Sequence, residues 1–420
     1  MHPTCRHLAV TGLLASAIPG LAAAQVKGEP IVIGTRTSFT SSILHEKRPV
    51  WIHVPDNYAQ ATKARYPVIY VLDGDDHFTE VTGIVHRLSA NSRMPDAIIV
   101  ALPNTKDRTH DLTPPVVHDS TPFPLFEGSA DSMRIGSPTR GAAGALRSFI
   151  TTELAPWVDA HYRTVAYRVL IGHSLGGLFV LDALVYDPQS FRAYVALSPS
   201  LWWGDGEYLK RIEDQIPRAS LAGRVLYMTT GGRELKTQMI DPAQDLATFL
   251  GRSSPAGFQS WFKVEPGEVH DSNPHRSTYD ALETIFAGWE PPDSALPALY
   301  AHGDSLPLAS HYVALSRRFG FDVPLPTDMF NGFADFLLES NHPQQAMHLL
   351  RFNAAHDPTS PAAHDALATG FDKTGAKADA VREEREAVRL AAVAHDPDAA
   401  KFRKRLRMLT NPASPKRPRT

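Results

Sequence analysis

One pentapeptide constrains this chain more than any other feature. Gly172-His173-Ser174-Leu175-Gly176 follows the apolar run Tyr167–Ile171 and precedes the helical run Leu178–Leu181. A serine on a sharp strand-to-helix turn needs glycine two positions away on either side, because larger side chains would clash there. The setting implies a strand that ends at the serine and a helix that starts from it.

The stretch up to about residue 290 supplies such a sheet. Residues 30–55 read as strand and turn, with apolar and polar residues alternating over Arg48–Pro55. Pro67–Leu72 is a continuous apolar run, as in a strand buried on both faces. Asp73-Gly74-Asp75-Asp76 closes it as a turn. Further strands are predicted at Ala97–Leu102, Tyr167–Ile171, Ala193–Leu197, Arg224–Thr230 and Trp261–Val264. Helices are predicted over 145–162, 175–186, 242–250 and 275–289. Strands alternating with helices predict an α/β domain over 25–290, with a mainly parallel sheet covered on both faces.

The pattern then changes. Residues 291–326 begin Pro-rich and read as a linker. An Ala-rich helical pattern follows over 327–410. Phe333, Ala334, Leu337 and Ala346 are echoed 34 residues later by Leu367, Ala368, Phe371 and Ala380. That period predicts a small all-helical, tetratricopeptide-like region. Two repeats are fewer than the three or so that such arrays need to stand alone, so packing on the preceding domain is expected. A groove for a protein partner is the alternative. Residues 411–420, with Lys416, Arg417 and Arg419, read as a frayed tail.

The first 24 residues read as an export signal: Arg6, an apolar run from Leu8 to Leu21, and Ala22-Ala23-Ala24 before Gln25. A periplasmic or secreted product is expected, with no membrane insertion. Cys5 is the only cysteine and falls in this segment, so the mature chain would have no thiol chemistry and no disulfide. A formal charge of −3 gives no reason to expect a nucleic-acid partner. There is no H-E-x-x-H and no phosphate-binding glycine loop, and His342 and His348 do not share a helix face. No metal and no cofactor are expected.

A serine hydroxyl needs a base to take its proton. In this kind of sheet the order along the chain is serine, acid, histidine. His270, in Pro266-Gly267-Glu268-Val269-His270, stands after the last predicted strand and before the closing helix; His275 is the fallback. The acid belongs after the Arg224–Thr230 strand, where Glu234 is the first choice and Asp241 and Asp245 are rivals. The backbone N–H groups of Leu175 and Asp75 are the candidate donors for a developing oxyanion. Gly74 would let the backbone approach a substrate closely. Trp202 and Trp203 would stack on a planar substrate or pack in the core. Arg108 would hold an anionic or catechol-like group or pair with Asp111.

Taken together, these motifs resemble the esterase branch of the α/β hydrolases. That branch includes ferri-siderophore trilactone esterases and, more distantly, esterase D and the antigen 85 mycolyltransferases. The resemblance spans about residues 30–290. It rests on Val71-Leu72-Asp73-Gly74, Arg108 with Asp111, Gly172-His173-Ser174-Leu175-Gly176-Gly177, Ser198-Pro199-Ser200-Leu201-Trp202-Trp203, and Pro266–His270. It implies the α/β-hydrolase fold and hydrolysis of a small-molecule carboxylic ester through an acyl-enzyme, with Ser174 and His270 as the matching pair. Some relatives work with that dyad alone. Ferri-siderophore lactones are one implied substrate class. An inert hydrolase domain carrying a partner-binding helical region is the alternative from another class.

Overall fold

In the computed structural model of the chain, the described residues are 29–59, 61–116, 123–124, 132–133 and 141–411. The segment expected as an export signal, with Cys5, lies outside them, as do Lys416, Arg417 and Arg419 of the tail.

The central strand β3, Tyr66–Leu72, is buried at every position. Its alternate residues feed opposite faces of the sheet. Val68, Tyr70 and Leu72 join one apolar cluster, whereas Ile69 and Val71 join the other. A strand with two buried faces has no polar side to show, which is why it reads as an unbroken apolar run. Eight strands form one sheet in the order β1-β2-β4-β3-β7-β8-β9-β10. The edge strands β1 (Thr35–Ser41) and β2 (Glu46–His53) run antiparallel, and β2 is also antiparallel to β4 (Ile98–Leu102). From β4 onward all neighbours are parallel: β3, β7 (Thr164–His173), β8 (Ala193–Leu197), β9 (Val225–Gly231) and β10 (Gln259–Glu265). The two-residue strands β5 (Phe123–Pro124) and β6 (Ser132–Met133) pair separately. The expected α/β sheet is the one observed.

Helices cover both faces. On one lie α2 (Arg108–Leu112), α5 (Leu175–Tyr186), α6 (Glu207–Gln215) and α7 (Asp241–Ser253). They are joined by α3 (Ala143–Ser148) and α4 (Ala155–His161), which a π-type turn over Phe149–Leu154 links. On the other face lie α1 (Gly74–Ala90) and α8 (Asn273–Ile285). Helix α5 is almost wholly buried, being wedged between the sheet and its neighbours.

The stretch expected as a linker is helical. It carries α9 (Ala295–His302) and α10 (Leu306–Phe319). The prolines that suggested a linker include Pro307, which occupies the first turn of α10, where a missing N–H is tolerated. Helix α10 serves two cores. Leu315 and Phe319 pack with the α1/α8 face of the sheet, while Leu308 packs with the helices that follow.

Those helices are α11 (Thr327–Glu339), α12 (Pro343–His356), α13 (Pro361–Lys373), α14 (Lys377–Ala394) and α15 (Ala399–Thr410). Thr327 and Pro361 open successive odd helices 34 positions apart, as Pro343 and Lys377 open the even ones. Of the echoed residues, Ala334, Leu337, Ala346, Leu367, Ala368, Phe371 and Ala380 are buried and Phe333 is half-buried. The described residues from Gly34 onward group as one unit that includes both the sheet and this run of helices.

Candidate functional site

Strand β7 ends at His173 and α5 begins at Leu175, so Ser174 alone makes the turn. Its backbone sits at φ 60° and ψ −115°, a region that non-glycine residues rarely occupy. The turn is tight enough that a Cβ on Gly172 would come within 2.3 Å of the Gly176 carbonyl oxygen. Ser174 N–H donates to Leu197 O at 3.0 Å, and Ser200 N–H donates to Ser174 O at 3.1 Å. The Ser174 hydroxyl faces that of Ser200 at 3.3 Å.

The turns after β9 and β10 are tied together. Gly232 N–H donates to Glu265 O at 2.7 Å, and Arg233 N–H donates to Glu268 O at 3.0 Å. This brings Glu234 to His270, with Nδ1 2.9 Å from Oε2. The Glu234 side chain is fully buried and the imidazole is about one-third exposed, at 34%. The other carboxylate oxygen, Oε1, accepts from Ser198 Oγ at 2.5 Å and from the Gly231 N–H. Buried Asn273 supports Ser198 in turn, donating to its Oγ at 2.8 Å. The rivals lie elsewhere: Asp241 pairs with Lys236, Asp245 is exposed, and His275 is exposed near Glu80.

Three imidazoles stand in a row. The His173 ring centroid is 4.5 Å from that of His270 and 5.6 Å from that of His77. Burial, then the neighbouring His270, His77 and Arg108, push His173 down to about 2, so it is neutral across the working pH range. At His77, burial opposes the charge, but the Glu80 hydrogen bond and nearby carboxylates outweigh it and raise the pKa.

Leu175 is the first residue of α5 and Asp75 the second of α1, so neither amide has an acceptor one turn back in its own helix. The Asp73 turn lies against the elbow. A Cβ on Gly176 would be 3.1 Å from Asp73 Oδ2. Arg108 clamps both Asp73 oxygens, at 2.5 and 2.8 Å, and reaches the His173 carbonyl at 3.3 Å.

Three expectations for substrate contact change. Arg108 is a structural ion-pair residue whose partner is Asp73, while Asp111 pairs with Arg48. Gly74 is buried, and a Cβ there would strike Ala101 and Leu102 at 2.8 and 2.9 Å. Its bare backbone therefore serves helix-to-strand packing. Trp203 is 1% exposed and donates its indole N–H to Pro114 O at 3.0 Å, so it belongs to the core. Trp202, its ring centroid 5.9 Å from that of Trp203, is half-buried.

In the sequence Ser198, Ser200 and Asp73 stand only within motifs, with no individual role, and Asn273 in none. Ser198 and Ser200 follow a strand that ends at the same sheet edge as the elbow, and that was the available signal. Nothing in the local sequence marks Asn273. Among the described residues no group of three or more His, Cys, Asp or Glu side chains is arranged to hold a metal ion.

A family profile described as "Putative esterase" matches residues 41–270. The ferri-bacillibactin esterase of Bacillus subtilis is 30% identical over 253 residues, covering 57% of this chain and 85% of that protein. The apo-salmochelin esterase of Escherichia coli is 31% identical over 265 residues, covering 62% of this chain and 81% of the relative. Among solved structures, an IroE-like serine hydrolase from Shewanella oneidensis aligns with a TM-score of 0.63 at 27% identity. It covers 77% of this chain and 99% of its own.

Proposed function

The chain belongs to the Putative esterase family and is an esterase of α/β-hydrolase fold, and from that premise we propose that it cleaves siderophore esters through an acyl-enzyme on Ser174. Two of the relatives above are named for siderophores or their ferric complexes, ferri-bacillibactin and apo-salmochelin, which supports the substrate class. The observation that carries the mechanism is the strained Ser174 turn standing at the same sheet edge as the His270–Glu234 pair.

The steps follow from chemistry and geometry. Ser174 Oγ attacks the ester carbonyl while its proton passes to His270. Nδ1 is engaged by Glu234, so Nε2 is the accepting nitrogen. Glu234 holds that tautomer and stabilises the imidazolium. The N–H groups of Leu175 and Asp75 are assigned to the tetrahedral oxyanion. His270 then protonates the departing alkoxide, which leaves as the alcohol. A water molecule, deprotonated by the same imidazole, releases the acid and restores Ser174. The apolar run and small-residue end of residues 1–24 support placing this reaction outside the cytoplasm.

The test compares wild type with Ser174→Ala on p-nitrophenyl esters and on a ferric triscatecholate trilactone. Turnover of the lactone, lost by several orders of magnitude in the variant, is the expected result. Hydrolysis of simple esters with none of the lactone would keep the serine mechanism and remove the siderophore. Equal rates in both proteins would remove the mechanism.

A further inference from the structure

We propose that Ser200 is a positioning residue for the hydrolysis, and that Ser198-Pro199-Ser200 is a brace joining the nucleophile to the acid. The inference rests on the assignment of Ser174 and Glu234 above and goes one shell beyond it.

The segment and Leu197 just before it grip the nucleophile three ways. Leu197 O accepts from Ser174 N–H, Ser200 N–H donates to Ser174 O, and the two hydroxyls meet at 3.3 Å. Two residues before Ser200, Ser198 Oγ donates to Glu234 Oε1 at 2.5 Å. Ser198 is itself fixed, because its N–H donates to Thr229 O at 2.8 Å and its Oγ accepts from Asn273. Both serines are buried, at 0% and 1% exposure. Ser198 adopts φ 43°, a positive value that disfavours a non-glycine residue because its Cβ is crowded against the backbone. Such strain persists where the surroundings over-determine it. Here it turns consecutive hydroxyls toward opposite ends of the catalytic set. Pro199 between them has its own φ fixed by its ring. A Cβ on Gly177 would lie 2.9 Å from Leu197 O and 3.0 Å from Pro199 Cα, so α5 packs directly on the brace.

A hydroxyl can donate or accept. At 3.3 Å the Ser200 contact is longer than the usual hydroxyl bond of about 2.7–2.8 Å. A contact of that strength orients Ser174 Oγ without neutralising it. When His270 draws the proton away, Ser200 O–H turns to donate to the electron-rich oxygen.

The experiment uses the full chain with p-nitrophenyl acetate and a fluorophosphonate titrant. Ser200→Ala is expected to lower kcat and the rate of fluorophosphonate labelling about tenfold, with KM and the titratable fraction unchanged. The midpoint of the acidic limb of its pH–rate profile stays in place. In Ser198→Ala that midpoint moves, because the carboxylate facing His270 loses a donor. Ser200→Thr, which keeps the hydroxyl, recovers most of the rate. Wild-type kcat and labelling in Ser200→Ala, or a lower titratable fraction in place of a slower rate, would overturn the role of Ser200. An unmoved limb in Ser198→Ala would overturn the link to the acid. Labelling that survives Ser174→Ala would bring down the nucleophile assignment and the brace together, whereas an inert Ser174→Ala beside a normal Ser200→Ala would remove the brace alone.

Discussion

Glu234 Oε2 lies 2.9 Å from Nδ1 of His270, with the carboxylate buried and the imidazole partly open to solvent. That asymmetry suits an orienting acid behind a working base. Glu234→Gln keeps the shape but offers the imidazole an amide that can present N–H in place of an acceptor. We expect kcat to fall by roughly 10²–10⁴ with little change in melting temperature. Steady-state kinetics on a p-nitrophenyl ester check this. A loss below twofold would place the site among serine–histidine dyads.

The Arg108–Asp73 pair sits under the elbow. Asp73 is 3% exposed and keeps only Asn104 Nδ2 as a side-chain donor once Arg108 is removed. Breaking a buried pair by deleting one partner costs about 3–5 kcal/mol. Arg108→Ala should lower the denaturation midpoint accordingly and reduce kcat, because the His173 carbonyl loses its tie as well. Arg108→Lys restores charge without the two-pronged grip, so its stability should fall between the two.

In the helical run, Glu384 is fully buried beside Asp365, with Arg405 Nε 3.5 Å away. Burial first, and Asp365 second, push its carboxyl up to about 8. A carboxyl raised in the folded state binds its proton more tightly there than in the unfolded chain. Its contribution is therefore complete below the ordinary carboxylate range and is lost as pH rises toward 8. Thermal melts across pH 5–9 should show stability declining over that window. Glu384→Gln should flatten the decline. An identical pH dependence in both proteins would refute the assignment.

Phe319 is 4% exposed and meets Tyr167, Phe286 and Trp289 at ring-centroid distances of 5.4–5.6 Å. It anchors α10 to the sheet. Phe319→Ala should cost about 3–5 kcal/mol, read by chemical denaturation. If α10 were only a connector, the change would stay near that of an exposed site, within about 0.5 kcal/mol.

The sequence by itself determined the α/β class and the elbow, and it offered His270 with Glu234, Asp241 or Asp245 as its acid; the tertiary structure put Glu234 beside the imidazole. The class and the elbow are written locally: an apolar run marks a strand buried on both faces, and Gly172 and Gly176 mark a turn that excludes side chains. Helix α5 and strand β8 fall where the pattern placed them. The 34-residue echo likewise anticipated the register of α11–α14, because a repeating burial need leaves a repeating apolar pattern. Tertiary structure decided what local pattern cannot carry. Prolines suggested a linker where α10 binds two cores, since burial of Phe319 depends on rings thirty or more residues away. Trp202 and Trp203 are neighbours in the chain, yet only packing against Pro114 separates a core indole from a half-open one. Arg108 found Asp73 and not Asp111, because the β3 and β4 loops meet at one sheet edge. Ser198, Ser200 and Asn273 gained their positions around Ser174 and Glu234 the same way: a hydrogen bond between distant segments depends on how strands are ordered in the sheet, which no single stretch of sequence encodes.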